Sequence, residues 1–524
     1  MAEKKDFKGR SIARSSDLSR DEKFYLFEKT RKLKEAFYEN NSDVLDEFKV
    51  KGALNIYLCF FEPSTRTKES FKNAAKFMNA RVNNLDVDIS SLTKSESYWN
   101  TIKTLEGYDN SIFIIRSKVE GLCTWLGEAS EKFSKRFGGS KSAFINGGDG
   151  KHEHPTQEEL DQFSFFEQLN WDNSRIHIAL VGDLFHGRTV HSKVSGLKIF
   201  EKVKVDLIAP EILQMPEYYV NEMKNNGFEV RVFDSLNEYY NQDDVANIQY
   251  FTRLQIERMG ESVIQREDEL REAVTFDEKY IDKIPSDTKL YHPQPFYKEK
   301  PTIPSSMSFT KFNGYDNQSI NGFFYRIVLL NAISGNIGSD FKGSSPENVS
   351  YEYDYIEKVE VKQKGKPEPK VGIRPISDGV VVDHICKGET AEEIWNHLHL
   401  VLKVTDISDI GFCGVCESGE GNKGIFVLPR QQEFDEELIK RFTAICPGST
   451  LNFIKNDRVE KKLRLHMPPR ITGFEEISCK NLNCISREEY SEGVEPEFHM
   501  YNGKKYICKY CDTTHSFKEI WNVK

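Results

Sequence analysis

The 524-residue chain has no run of about 18 consecutive apolar residues, the length a membrane-spanning helix needs. No apolar stretch follows the charged opening Met1 to Ser11, so that end does not read as a secretory signal. Positive charge is not in excess either: 72 Lys plus Arg stand against 82 Asp plus Glu, for a net charge of -10. That balance excludes a general nucleic-acid or membrane-surface binder, which would need clustered cations to neutralise phosphates. It leaves room for local basic pockets around small anions. No internal repeat is visible. The expected compartment is a reducing cytoplasm, where the 10 cysteines serve as free thiols or metal ligands rather than disulfides.

What is present is too long for one core. Domains usually hold about 100 to 200 residues, so roughly three or four units are expected. Ser19 to Glu22 has the form of a capping box, and Leu26, Thr30, Leu33 and Phe37 follow at helical spacing. Short apolar runs at 55–61, 112–115, 176–181, 205–209 and 247–252 are separated by helix-length segments. Strands alternating with helices imply an α/β fold, here two doubly wound parallel-sheet subdomains covering 1–160 and 161–342. Such sheets bind ligands beyond the strand C-termini. A polar, Lys/Pro/Gly-rich linker is expected over 343–370. A small α+β domain (371–468) follows, with β runs at 379–385 and 425–428 and helices at 391–400 and 435–443. A zinc-ribbon-like domain closes the chain at 469–524.

Polar signatures follow several of these strands. After the first come Phe61-Glu62-Pro63-Ser64-Thr65-Arg66-Thr67, where a helix begins near Thr65. Backbone N–H groups and the positive dipole end of a helix make an anion site, to which Ser64, Thr65 and Thr67 add hydroxyls and Arg66 a charged fork suited to phosphate. A simple N-cap is the alternative reading of such a stretch. Arg116 follows the second run. His154-Pro155-Thr156-Gln157 follows what reads as a Gly-rich turn at 146–150. Gly187-Arg188-Thr189, Thr252-Arg253-Leu254-Gln255 and His292-Pro293-Gln294-Pro295 follow later strands.

This ordered set resembles the carbamoyltransferase family, and aspartate carbamoyltransferase within it, from about residue 11 to 335. The resemblance implies carbamoyl transfer from carbamoyl phosphate to the amino group of L-aspartate, giving N-carbamoyl-L-aspartate and phosphate in de novo pyrimidine biosynthesis. No cofactor is expected for catalysis, which works by positioning and charge stabilisation. It assigns Ser64, Thr65, Arg66 and Thr67 to the phosphate, with Arg116 as a second clamp. His154 would donate to the developing oxyanion with Thr67 and Arg116. Gln157 and the backbone carbonyls of Pro293 and Gln294 would hold the carbamoyl amino group. Arg188, Arg253 and Gln255 would bind the two carboxylates of aspartate, with Glu62, Glu257 and Arg258 holding these arginines in place. The stretch Ser91 to Ser97 resembles a loop that reaches a neighbouring subunit's site, so that Ser91 and Lys94 act in trans on carbamoyl phosphate and aspartate. A homo-oligomer, at least a catalytic trimer, is then required, and a higher assembly is open to it. Ornithine carbamoyltransferases share the phosphate loop but carry Cys near the last strand, where this chain has Pro293. Gln294 stands where the aspartate enzymes have Leu.

Cys479/Cys484 and Cys508/Cys511 form two close pairs 24 residues apart, a spacing that makes a tetrahedral thiolate cage for structural zinc. Cys413 and Cys416 lie in a β run, where residues three apart face opposite ways, and are read as non-ligating. The segment Val380 to Ile385 and both cysteine pairs resemble the aspartate carbamoyltransferase regulatory chain, whose first domain binds ATP or CTP. Asp383 and Lys462 correspond to its nucleotide contacts. A second nucleotide-contacting lysine is replaced by Val427, and basic residues near the first strand by Ser377 and Asp378. Weak or lost ATP and CTP binding is therefore expected, because a triphosphate needs cationic partners. Two other classes remain. A non-catalytic scaffold has no need for the Arg/His set, and a nucleic-acid-binding zinc ribbon sits poorly with Glu488, Glu489, Glu492, Glu495 and Glu497.

Overall fold

In the computed structural model the chain is described over residues 7–86, 96–108, 111–138, 141–255, 265–346, 354–361, 375–405, 407, 410–418, 421–431 and 434–521. It forms two compact units, Met1–Glu347 and Asn348–Lys524.

The first unit contains two all-parallel sheets. One consists of β1 (Asn55–Phe60), β2 (Arg81–Asp86), β3 (Ser111–Ser117) and β4 (Ala143–Asp149), in the order β2-β1-β3-β4. The other has β5 (Arg175–Val181), β6 (Lys202–Ile208), β7 (Glu229–Phe233), β8 (Ile248–Phe251) and β9 (Lys289–Tyr291), in the order β7-β6-β5-β8-β9. Strands β3, β4 and β8 are buried along their whole length, as parallel strands covered on both faces must be. In each sheet the chain builds outward on one side and then crosses back, at β1/β3 and at β5/β8. A crevice opens at such a switch point, beyond the strand C-termini. The segments after β1, β5 and β8 carry Ser64 to Thr67, Arg188 and Arg253, and Arg116 stands in the last pleat of β3.

Helix Arg20–Glu39 starts at a true capping box, in which Ser19 Oγ accepts from the Glu22 N–H and the Glu22 carboxylate accepts from the Ser19 N–H. Its predicted apolar face holds at Leu26, Thr30 and Leu33, but Phe37 is exposed, resting its ring against Phe323 and Phe324. Helix Tyr315–Ser334 is buried along most of its length and packs on helices Thr65–Phe77 and Pro155–Gln168. It therefore reads as apolar on every side, yet Gln318, Asn321, Arg326 and Asn331 are buried within it.

Two expectations need correction. The Gly-rich stretch 146–150 is not a turn for most of its length: β4 runs through it to Asp149. Glycine is required there because φ of Gly148 is +112° and a Cβ would collide with Arg116 Nη1 and crowd the His154 ring. The stretch 343–370, read as a linker, contains a strand, β10 (Ile356–Val359), which pairs with β15 (Arg458–Leu465).

The second unit holds two antiparallel sheets. The larger adds β11 (Gly379–Ile385), β12 (Phe412–Ser418), β13 (Gly421–Leu428) and β14 (Thr450–Lys455), in the order β10-β15-β14-β11-β13-β12. Helices Ala391–Thr405 and Glu436–Ile445 pack together, the first also against β12 and β13. The smaller comprises β16 (Arg470–Thr472), β17 (Glu497–Tyr501), β18 (Lys505–Cys508) and β19 (Thr514–Ser516), in that order. The fold class read from the sequence is the one observed.

Candidate active site and metal centre

Helix Thr65–Phe77 begins directly after β1, with Ser64 at its N-cap. Ser64 makes no side-chain capping bond, so the simple-cap reading fails and the hydroxyl stays available beside the first-turn N–H groups. Arg66 sits in that first turn, where burial lowers its pKa. Thr67 is buried, and its Oγ1 lies 3.5 Å from His154 Nε2, which joins the segment after β1 to the helix that follows β4. His154 is the N-cap of helix Pro155–Gln168, placing Gln157 in its first turn.

Arg116, at the end of β3, is aimed by an ion pair with Glu62 Oε2 at 2.9 Å and a hydrogen bond to the Gly147 carbonyl at 2.9 Å. Arg188 opens a short helix after β5 and donates to the Gly150 carbonyl at 2.5 Å. Behind β8, the Gln255 N–H donates to Asp183 Oδ2 at 3.2 Å, which fixes the segment carrying Arg253 against the end of β5. The His292–Gln294 segment follows β9. Gln294 has φ of +55° and a cis bond to Pro295, and its N–H donates to His292 Nδ1 at 2.8 Å.

The charges converge. Burial and then Arg188, Arg116 and Arg326 push the His154 pKa well below its ordinary value. Burial and then Arg66 and Arg253 push His292 down to about 3. Two neutral imidazoles thus stand among five guanidinium groups, a field that suits an anionic ligand and hydrogen-bond donation by neutral rings. Ser91, Lys94, Glu257 and Arg258 lie outside the described residues.

Arg326 was not anticipated. It is buried, stacks over Phe71, and donates to Ser70 Oγ at 2.8 Å and Thr156 Oγ1 at 3.2 Å; neither is an acid. Burial lowers its pKa to about 10. In the sequence it is one charge inside an apolar helix, with nothing to tie it to residues about 170 to 260 positions away.

In the second unit, the four cysteines predicted as ligands come together, buried, with all four Sγ atoms within 4.8 Å of one another. Cys479 and Cys511 Sγ are 3.6 Å apart, and Cys484 and Cys508 Sγ 3.7 Å. Zinc at about 2.3 Å from four thiolates requires S···S edges of about 3.8 Å, so the cage fits the ion. His515 Nε2 lies 3.4 Å from Cys479 Sγ, and hydroxyls of Ser486 and Thr513 approach Cys484 and Cys511 at 3.2 Å. Such outer partners orient thiolates. Cys413 and Cys416 lie along β12 and are no part of this cluster.

Asp383 and Lys462 lie on β11 and β15. Asp383 is bound by Lys423 Nζ at 2.7 Å, a partner the sequence did not reveal, because the antiparallel pairing of β11 with β13 brings the lysine there. Val427 is buried in β13 between Val381 and Phe412. Lys423, Lys387 and Lys462 all act on His384, whose pKa is lowered by burial first.

Comparison with known proteins accords with this geometry. Residues 10–167 match the carbamoyl-P binding domain of aspartate/ornithine carbamoyltransferases. Residues 371–466 match the allosteric domain of the aspartate carbamoyltransferase regulatory chain, and 469–521 its metal binding domain. Protein PyrBI of Treponema denticola is 49% identical over 99% of this chain and 99% of its own length. Protein PyrBI of Thermotoga maritima is 49% identical over 99% and 100%. The chain belongs to the aspartate carbamoyltransferase family. Within that family it is a fusion of catalytic and regulatory chains, and its cysteine cage is the regulatory-type zinc site. The catalytic subunit of M. jannaschii aspartate transcarbamoylase superposes with a TM-score of 0.54 at 27% identity, covering 63% of this chain and all of that one. Aspartate transcarbamoylase from Trypanosoma cruzi, in complex with N-(phosphonacetyl)-L-aspartic acid, gives 0.53 at 26%, over 62% and 96%.

Removing zinc with a chelator should unfold the 469–521 segment while leaving the parallel sheets of the first unit intact. Hydrogen exchange would show this as loss of protection confined to the second unit, and Cys508→Ser should reproduce it. Unchanged protection after complete zinc removal would refute a structural role for the ion.

Proposed function

We propose that the chain transfers the carbamoyl group of carbamoyl phosphate to the amino group of L-aspartate, in the cytoplasm and in de novo pyrimidine biosynthesis, with the division of labour that follows. The observation carrying this reading is the guanidinium field around His154 and His292. Ser64, Thr65, Arg66 and Thr67 hold the phosphate, and Arg116 clamps it. As the amine attacks, charge builds on the carbonyl oxygen. His154, neutral, donates to it together with Thr67 and Arg116, and phosphate leaves. The low pKa of His154 keeps its ring uncharged at neutral pH, so it works as a donor and not as an acid. Gln157 and the Pro293 and Gln294 carbonyls take the carbamoyl N–H groups. Arg188, Arg253 and Gln255 receive the aspartate carboxylates, two cationic forks for two anions. Ser91 and Lys94 complete the site of a neighbouring subunit, so the active form is a trimer of catalytic units, alone or within a larger assembly.

The Asp383 and Lys462 region binds ATP or CTP weakly or not at all. Lys423 is already bound to Asp383, and Val427 is apolar and buried. Saturable micromolar binding of CTP or ATP in calorimetry would overturn that part.

The catalytic reading is tested by steady-state kinetics with aspartate and ornithine offered as acceptors. Aspartate should be used, and ornithine should not. Arg66→Ala and His154→Ala should each lower kcat by about 10²- to 10³-fold, the size of losing one charge-stabilising donor. Arg253→Ala should mainly raise KM for aspartate. Transfer to ornithine, or full activity in Arg66→Ala, would contradict the assignment.

A further inference from the structure

Next to the site, but outside the groups assigned above, lies a fully buried trio of ions. Lys193 Nζ is 2.6 Å from Glu158 Oε2 and 2.8 Å from Asp161 Oδ2. Buried ion pairs add little stability compared with apolar side chains of the same volume, so the trio calls for another explanation. Its surroundings are tight. Ser192 Oγ and Gln162 Nε2 donate to Glu158, and a Cβ on Gly196 would collide with Glu158 Oε1.

Asp161 receives four donors, two on each oxygen. Gln157 Nε2 (2.8 Å) and Gln318 Nε2 (2.6 Å) reach Oδ1; Lys193 Nζ (2.8 Å) and the Tyr250 hydroxyl (2.8 Å) reach Oδ2. An ionised carboxylate only accepts, so both amides must present NH₂ to it and turn their carbonyl oxygens away. Gln318 Oε1 then accepts the His292 N–H at 3.0 Å, and His292 Nδ1 accepts the Gln294 N–H at 2.8 Å. One carboxylate therefore sets the sense of the Gln157 amide and, through Gln318, the backbone of the segment carrying Pro293 and Gln294. Burial raises the Asp161 pKa, and the Lys193 ammonium and the Gln318 amide oppose it, so the anion rests on the four donors that face it. Burial pushes the Tyr250 hydroxyl well above its ordinary pKa, so it remains a donor. Burial works to lower Lys193, but Asp161 and Glu158 outweigh it and hold the ammonium above its ordinary value.

We infer that Asp161, held as the anion by Lys193 and Tyr250, is a positioning residue that fixes acceptor oxygens toward the substrate's amino group and so lets the site distinguish carbamoyl from other acyl phosphates. This rests on the reading that Gln157, Pro293 and Gln294 hold that amino group. Asp161 itself touches no substrate.

Acetyl phosphate, which carries CH₃ in place of NH₂, is the probe. In the full-length protein, KM for carbamoyl phosphate and the competitive Ki of acetyl phosphate are measured for wild type, Asp161→Asn and Gln157→Ala. Asp161→Asn should raise KM about tenfold, the scale of one lost hydrogen bond, and leave Ki within about twofold. A general loosening of the site would raise both constants together, and that result, or no change in either, overturns the proposal. Loss of the preference in Gln157→Ala but not in Asp161→Asn would sink the role of Asp161 alone. A preference intact in Gln157→Ala would sink the amino-group assignment beneath it. If Asp161→Asn does not fold, Gln318→Met decides, because it keeps the ion trio and frees only the His292 backbone. It should also lower the preference, and an unchanged preference would overturn the proposal.

Discussion

The first unit depends on gathering like charges where nature would ordinarily keep them apart. Arg188, Arg116 and Arg326 act on one imidazole, and Arg66 and Arg253 on another. Like charges disfavour one another, and burial adds to the cost. The fold has to hold them rigidly. Arg116 is fixed by Glu62 and the Gly147 carbonyl, Arg188 by the Gly150 carbonyl, and Arg326 by two hydroxyls and the Phe71 ring. Much of this restraint comes from neutral dipoles, which orient a guanidinium without cancelling its charge. The field is left for an anionic ligand to satisfy.

The topology supplies the convergence. Each sheet reverses its strand order once, and the reversing strands and the segments after them deliver Arg66, Arg116, Arg188 and Arg253. Helix Tyr315–Ser334 closes the unit and contributes from within: Arg326 to the field, Gln318 to the carboxylate hub, and Asn321 Nδ2 to Ser164 Oγ at 2.9 Å. The second unit uses a different means of stability. Its smaller sheet is short and holds its segment around four thiolates, a size at which a metal site commonly stands in for a large apolar core.

Strands β1, β3, β5, β6 and β8 were legible because buried parallel strands read as short apolar runs, and the candidate site segments because their polar residues stand at the ends of such runs. The cysteine cage was legible from spacing alone. What the sequence concealed shares one cause: a buried polar residue whose partner is far along the chain. Lys193 looks like a surface charge until Glu158 and Asp161 enclose it. Arg326 looks misplaced among Phe324, Ile327 and Val328. Lys423 meets Asp383 only once β13 pairs with β11. The glycines 147 and 148 read as a turn, but they lie in a strand, where Arg116 and His154 leave Gly148 no room for a Cβ.

The account turns on His154 remaining neutral within this field. The most direct measurement is the NMR titration of the His154 ring nitrogens in the assembled protein, assigned by comparison with His154→Ala. Burial and the arginines together predict a neutral imidazole throughout the range from pH 8 down to well below the ordinary histidine value of about 6.5. An imidazolium signal for His154 with a midpoint near 6.5 or above would mean the guanidinium field is not acting on it, and would contradict the account.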